Sequence, residues 1–265
     1  DEMQKQPLAR QAIKTLVADG RYDYIETGSL LSIKRKWKSA GKNSRQNNIL
    51  IPSEETRLDM YPMDYEEFRW ALNDNVTIDM LRECFNSKRS LGDATMRKLR
   101  RDFRLYMLVG GMPQAVYTYL KTNNLTEVDN KKREILDIYI DDFLKIDPSG
   151  KISKMFSAIP AQLSKNASRY QQTSILGKNE SLETIAEFLR DMEDSLTVNF
   201  AHHSDNPSVG LPAHTDYDQY KMFMGDTGLF VTLAFWDKDV TENIIYQKLL
   251  SDKLSADLGY VYENV

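Results

Sequence analysis

Two adjacent carboxylates, Asp1 and Glu2, and two hydroxyls about twenty-five residues later, Thr27 and Ser29, are the residue types that cleavage of a phosphoanhydride requires. In such a site one carboxylate holds Mg²⁺ through water, the next polarises the attacking water, and a hydroxyl on the neighbouring strand senses the γ-phosphate. Gly28, between the hydroxyls, adds a backbone that can approach a phosphate closely because it carries no side chain. For these groups to meet, Asp1 and Glu2 must end one strand and Thr27 and Ser29 the next, with a helix between them. Residues 7–18 supply the helix: Leu8, Ala12, Ile13 and Leu16 recur at three- and four-residue spacing, Pro7 opens the run and Asp19-Gly20 stops it. Residues 22–25 then read as a short buried strand, and strand, helix, strand is the order of a parallel α/β sheet. Residues 48–52 and 56–61 read as two further strands that complete it, with Pro62 closing the second.

Between these strands, residues 32–45 are basic around Trp37, a composition able to meet phosphates but more simply a solvated loop. From Asp64 the periodicity turns helical. Helices are predicted over 78–85, 94–109, 114–120, 126–143, 152–163 and 181–192, with a short one around Tyr65 to Leu72. In the 94–109 helix Arg97, Lys98, Arg100, Arg101 and Arg104 lie opposite an apolar face of Leu99, Phe103, Tyr106 and Met107. Gly110-Gly111-Met112-Pro113 breaks that helix with a rigid turn. Thr126 with Asp129 predicts a capped start for the long helix, and Ile146-Asp147-Pro148-Ser149-Gly150 its end. Asp141-Asp142 is a polar helix end, since neighbours on a helix point about 100° apart and do not converge on a metal. A strand over 196–202 follows. His202, His203 and His214, with Asp205 and Asp216, have zinc-ligand chemistry, but adjacent histidines on a strand face opposite ways, and Asn206-Pro207 and Gly210-Leu211-Pro212 mark a surface loop. Residues 221–233 are apolar apart from Gly225-Asp226-Thr227-Gly228; 241–254 and 260–265 read as further helices.

The chain's 265 residues, 41% of them hydrophobic, suffice for one large or two smaller globular domains. A net charge of −4 provides no overall attraction to nucleic acid, so any such contact needs a local basic patch. Cys84 is the single cysteine, which excludes a disulfide framework and a cysteine-built zinc site within the chain and suits a reducing cytoplasm; it is expected to be a small apolar core residue. No uninterrupted apolar run approaches the ~20 residues that span a bilayer.

Taken in order, Asp1-Glu2-Met3-Gln4, Tyr24 to Ser29, Leu108 to Pro113, Ile135 to Phe143, Ala158 to Ser164, Lys221 to Phe230 and Glu263-Asn264-Val265 resemble prokaryotic AAA-type P-loop ATPases that carry a C-terminal restriction-endonuclease-like domain of unknown function. The resemblance covers essentially the whole chain. It implies a mixed α/β and mostly α architecture: the C-terminal half of an ATPase core with a partial P-loop sheet over residues 1–63, a helical lid over 64–148, a winged helix over 149–212, and the start of an α/β nuclease-like domain over 213–265. It further implies that Asp1 coordinates Mg²⁺, Glu2 orients the attacking water, Thr27 or Ser29 senses the γ-phosphate, and the turn through Gly111 packs Pro113 against the adenine, so that the lid reports bound ATP. In the oligomeric AAA-type ATPases that the chain resembles, an arginine near the basic run over 32–45 reaches a neighbour's nucleotide, which singles out Arg35 as the candidate for that role. Asp226 and Glu263 would be early acidic residues of the nuclease-like domain, where such residues hold Mg²⁺. The pattern G-x-x-x-x-G-K-[ST] is absent, so the chain reads as a fragment cut upstream of Asp1 and ending before the nuclease-like core is complete, inactive as an ATPase without the missing loop.

Two functions follow as expectations. The first is a cytoplasmic, ATP-binding and ATP-hydrolysing AAA-type ATPase, in a family where homo-oligomers occur. The second is a winged-helix module that binds DNA or a protein partner under nucleotide control, with little hydrolysis of its own. The helix over 181–192 carries Glu183, Glu187 and Asp191, followed by Glu193, which a phosphate backbone would repel, so a protein partner is as consistent with that module as DNA.

Overall fold

Helical periodicity dominates the described chain because its apolar residues recur at three and four positions from Tyr65 onward. The computed structural model describes residues 7–25, 27, 56, 58–165, 167–177, 180–206, 214–238, 249–251 and 259–265. The protein is mixed but mostly helical, with a small two-stranded antiparallel sheet among the described residues. It falls into two compact units, Asp1–Met60 with Glu183–Leu196, and Tyr61–Leu182 with Thr197–Val265.

In the first unit α1 (Pro7–Asp19) forms where the spacing predicts it and ends at Gly20, whose φ of +69° is the left-handed stop a glycine tolerates. The strand expected over 22–25 does not form. Tyr22 and Ile25 are 70% and 90% exposed, and no strand lies beside them among the described residues. Tyrosine and isoleucine favour strands only where a ladder partner and a half-buried face exist, and among the described residues neither does. Residues 56 and 58–61 are likewise not in a strand, while 48–55 lie outside the described residues. The amphipathic α10 (Leu182–Asp194) buries Ile185 and Met192.

The second unit carries the remaining elements. Asp64 opens α2 (Tyr65–Ala71) with a capping box: its carboxylate accepts from Glu67 N at 2.8 Å and its own N–H donates to the Glu67 carboxylate at 2.9 Å. There follow α3 (Thr77–Asn86), α4 (Asp93–Val109), α5 (Pro113–Thr122) and α6 (Leu125–Ile146). Phe68, Val109, Ala115, Val116 and Val128 form a core cluster that joins α2, α4, α5 and α6. The long helix is capped by Asn124, whose Oδ1 accepts from Thr126 N, and not by the expected Thr126 and Asp129. Asp129 is instead buried in the interior.

The predicted helix over 152–163 divides into α7 (Lys151–Ser157) and α8 (Ile159–Ser164), because Pro160 has no N–H to continue the ladder. The carboxylate of Asp147 accepts from Ser149, Lys151 and Ile152 amides and so fixes the turn into α7. Short α9 (Thr173–Leu176) precedes the hairpin of β1 (Val198–Ser204) and β2 (Thr215–Met224). Val198 faces Met224 and His202 faces Tyr220, after which the register shifts so that His203 faces Asp216. Tyr220, Met222 and Met224 alternate inward, the period-two pattern of a strand with one buried face. Asp226 then caps α11 (Thr227–Ala234), seven of whose eight residues are buried where it packs on α4 and α6. The last element is α12 (Gly259–Glu263), whose following Asn264 holds the Met224 backbone through both side-chain atoms.

Candidate functional site

Two tight turns cross inside the second unit, and glycine makes the crossing possible. Gly110 ends α4 with φ +83°, a conformation that side-chain-bearing residues avoid. A methyl group there would run into the Asp226 carboxylate and come within 2.9 Å of Gly228 Cα. One on Gly228 would lie 2.5 Å from the Val109 carbonyl oxygen and 2.6 Å from Gly110 N. Gly111 is equally confined, against the backbone of Met63.

The polar groups of the crossing are satisfied within the protein. Gly110 N donates to Tyr106 O at 2.7 Å, and Gly111 O accepts from Met63 N at 2.8 Å. Gly111 N donates to Asp226 Oδ2 at 2.6 Å, while Asp226 Oδ1 accepts from Leu229 N at 2.7 Å. One buried carboxylate therefore ties the turn after α4 to the first turn of α11. Burial pushes the Asp226 pKa up; the amides of Leu229, Gly111 and Gly228 and the ammonium of Lys132 act against that shift.

Lys132 lies beneath this tie, fully buried on α6. Its ammonium donates to Leu108 O at 2.7 Å and Gly228 O at 3.2 Å, with an Asp129 oxygen 3.8 Å away. Burial lowers its pKa to about 8, opposed by the charges of Asp129 and Asp226. Asp129 accepts from Thr232 Oγ1 at 2.5 Å and from Arg133 Nε at 2.9 Å. Arg133 reaches on to the carbonyls of Trp236 and Lys238 and covers the Trp236 ring at 5.1 Å. Chemically the cluster is a lock: it uses charge to bind backbone carbonyls and amides from three helices at one place. The mark of Lys132 in the sequence is a lysine on the apolar stripe with Val128, Ile135 and Tyr139, a place where an ammonium needs interior acceptors. Nothing local identified Asp129 or Thr232 as its neighbours, since their pairing is made by the fold.

The residues expected to do chemistry are distributed as follows. Asp1, Glu2, Ser29 and Arg35 lie outside the described residues, and Thr27 is an exposed residue of the first unit. Gly111 is buried in the crossing, whereas Pro113, two residues on, is exposed at the first position of α5. Asp226 does not stand ready for Mg²⁺: each of its oxygens accepts a backbone amide. Glu263 pairs with Lys221. Among the described residues no group of three or more His, Cys, Asp or Glu side chains is placed to hold a metal ion. His202 and His203 lie on β1, the first beside Tyr217 at 5.2 Å between ring centres and the second 3.5 Å from Asp205. Cys84 is half-buried on α3, not a core residue, because that helix buries none of its side chains fully. No helix among the described residues is long and apolar enough to cross a membrane.

A protein-family model described as a domain of unknown function (DUF8612) matches residues 100–240, a span that contains the crossing turns and the whole Lys132 cluster. No curated protein and no solved structure matches.

Proposed function

The chain belongs to this family of unknown function, and from that premise we propose that it is part of an AAA-type ATPase whose helical lid reports bound nucleotide to the C-terminal segment. The observation that carries the reading is the separation of tasks over three residues. Pro113 is exposed and available to a ligand, while the amide of Gly111 is held by the buried carboxylate that caps α11. A ligand that moved Pro113 would pull on a tie with no slack, because close-packed turns shift together rather than deform. In this reading Pro113 packs on the adenine, Asp1 carries Mg²⁺, Glu2 orients water and Thr27 or Ser29 senses the γ-phosphate. The Mg²⁺ would supply charge neutralisation on the phosphates. The protein works in the cytoplasm, with homo-oligomers as part of the same proposal.

The test is binding of a fluorescent ATP analogue to the full-length polypeptide containing this chain, with and without Mg²⁺. Micromolar, Mg²⁺-dependent binding that weakens at least tenfold on Pro113→Ala is expected, and Glu2→Gln should abolish turnover while sparing binding. Absence of binding overturns the reading.

A second reading has its own support. It makes the segment a winged-helix, partner-binding module, for which the sequential order α7, α8, α9, α10 and then the β1–β2 hairpin is the support. Glu183, Glu187, Asp191 and Glu193 in α10 favour a protein partner over a phosphate backbone. A nucleotide-independent interaction with undiminished affinity in the Pro113→Ala variant would favour it.

A further inference from the structure

Apart from the buried crossing, the second unit has an open groove of about 460 Å³ between α3 and α4. Its floor is apolar, made by Tyr65, Leu81, Met96, Leu99 and Phe103, and its far wall is Arg100, Arg104 and Tyr262. The helix that forms one bank is amphipathic yet buries no residue fully. Ile78, Leu81 and Phe85 share a stripe along it, at i, i+3 and i+7, and Phe85 is 84% exposed. Val76, just before the helix, is 73% exposed. An apolar stripe about two turns long beside an open apolar groove is the shape that receives the apolar face of another helix.

The charges beside the groove select the partner's sign. The carboxylates on that side are already engaged: on α3 Glu83 by Arg89 at 2.9 Å and Asp79 by Arg82 at 3.6 Å, and on α2 Glu66 also by Arg82. On α4, Arg100 lines the groove beside the floor strip of Met96, Leu99 and Phe103, and Arg97 precedes it by three residues; both are exposed. They and Lys98 form no ion pair among the described residues. Arg104 is fixed as a wall by Tyr262 Oη and the Ser251 carbonyl. The groove is thus an apolar slot with an uncompensated positive rim on one side.

We propose that this α3–α4 groove is the docking site for an acidic amphipathic helix of a partner protein, whose apolar residues enter the slot and whose carboxylates engage Arg100 and the neighbouring Arg97. Arginine suits that task because its planar fork grips carboxylates in pairs. A nucleic acid fits worse: Leu81, Met96 and Leu99 make three of the five floor residues and offer no ring for base stacking. The site is separate from the crossing turns and does not depend on nucleotide.

The test uses the 265-residue chain and a fluorescein-labelled helical peptide of about 16 residues, with leucines at i, i+3, i+4 and i+7 and glutamates elsewhere, read by anisotropy. A Kd on the order of micromolar is expected at low salt, weakening as salt rises. The double variant Arg97→Glu with Arg100→Glu should lose at least tenfold in affinity, while Arg97→Lys with Arg100→Lys retains most of it. Both side chains are exposed, so circular dichroism should be unchanged in each variant. The proposal is overturned if the peptide does not bind, if a lysine-for-glutamate peptide binds equally well, if the double reversal leaves affinity within about twofold, or if labelled oligothymidylate binds this rim in place of the acidic peptide.

Discussion

Replacing Lys132 by methionine should destabilise the second unit and remove a pH dependence that the wild type possesses. The change keeps an unbranched apolar stem and deletes the ammonium that donates to Leu108 O and Gly228 O and faces Asp129. Removing one partner of a buried ionic cluster leaves carbonyls and carboxylates uncompensated, which costs about 3–5 kcal/mol. The accompanying signature comes from titration. The pKa of Lys132 falls from 10.5 to about 8 in the folded protein because it is buried. Between those two values the unfolded chain binds a proton that the folded chain has released, so wild-type stability rises with pH across that window and is flat with respect to this group below it. A shift of this size corresponds to about 3 kcal/mol over the window. Urea unfolding followed by circular dichroism from pH 7 to pH 10 measures both effects, and pH 10 stays below most of the window in which the buried tyrosines titrate. The methionine variant should be less stable at pH 7, with the gap between the two proteins widening as pH rises above 8. Parallel pH profiles, or a loss below about 1 kcal/mol at pH 7, would refute the buried-ammonium account.

Two further outcomes test the geometry. Gly110→Ala should cost at least about 3 kcal/mol, because its methyl group meets Asp226 and the Gly228 backbone in addition to the left-handed strain. Gly177→Ala, at nearly the same φ of +84° but with nothing within 4 Å, should cost only the backbone strain, about 1–2 kcal/mol, and clearly less than Gly110→Ala; equal losses in thermal unfolding would show that conformation and not the crossing matters. Asp64→Ala should cost about 1 kcal/mol in urea unfolding, through loss of the capping box of α2, and a neutral result would show that Glu67 alone suffices there.

Periodicity and caps made much of the helical unit legible. The spacings that predicted helices over 94–109, 114–120 and 181–192 correspond to α4, α5 and α10 to within about two residues, since an amphipathic stripe, a glycine stop and a proline start all act locally. The glycine turn was legible as a turn for the same reason. The strand over 22–25 was not decidable from its residues, because a strand exists only with a partner, and that partner would have to come from elsewhere in the chain. Asp129 shows the same limit on a smaller scale: three residues after Thr126 it matches a capping pattern, yet Asn124 takes the cap and Asp129 turns to Thr232, more than a hundred residues away.

The sequence by itself determined where the chain must be helical, where glycine and proline interrupt it, and that its charge is too low for general attraction to nucleic acid. Only the tertiary structure decided that Gly110, Gly111 and Gly228 are one contact, that Asp226 is a buried tie and not a free metal ligand, and that Lys132 is the ammonium beneath it. The physical reason is range. Helix formation answers to neighbours three and four residues away, whereas a buried charge is tolerable only where the fold brings donors and acceptors from distant segments to meet it.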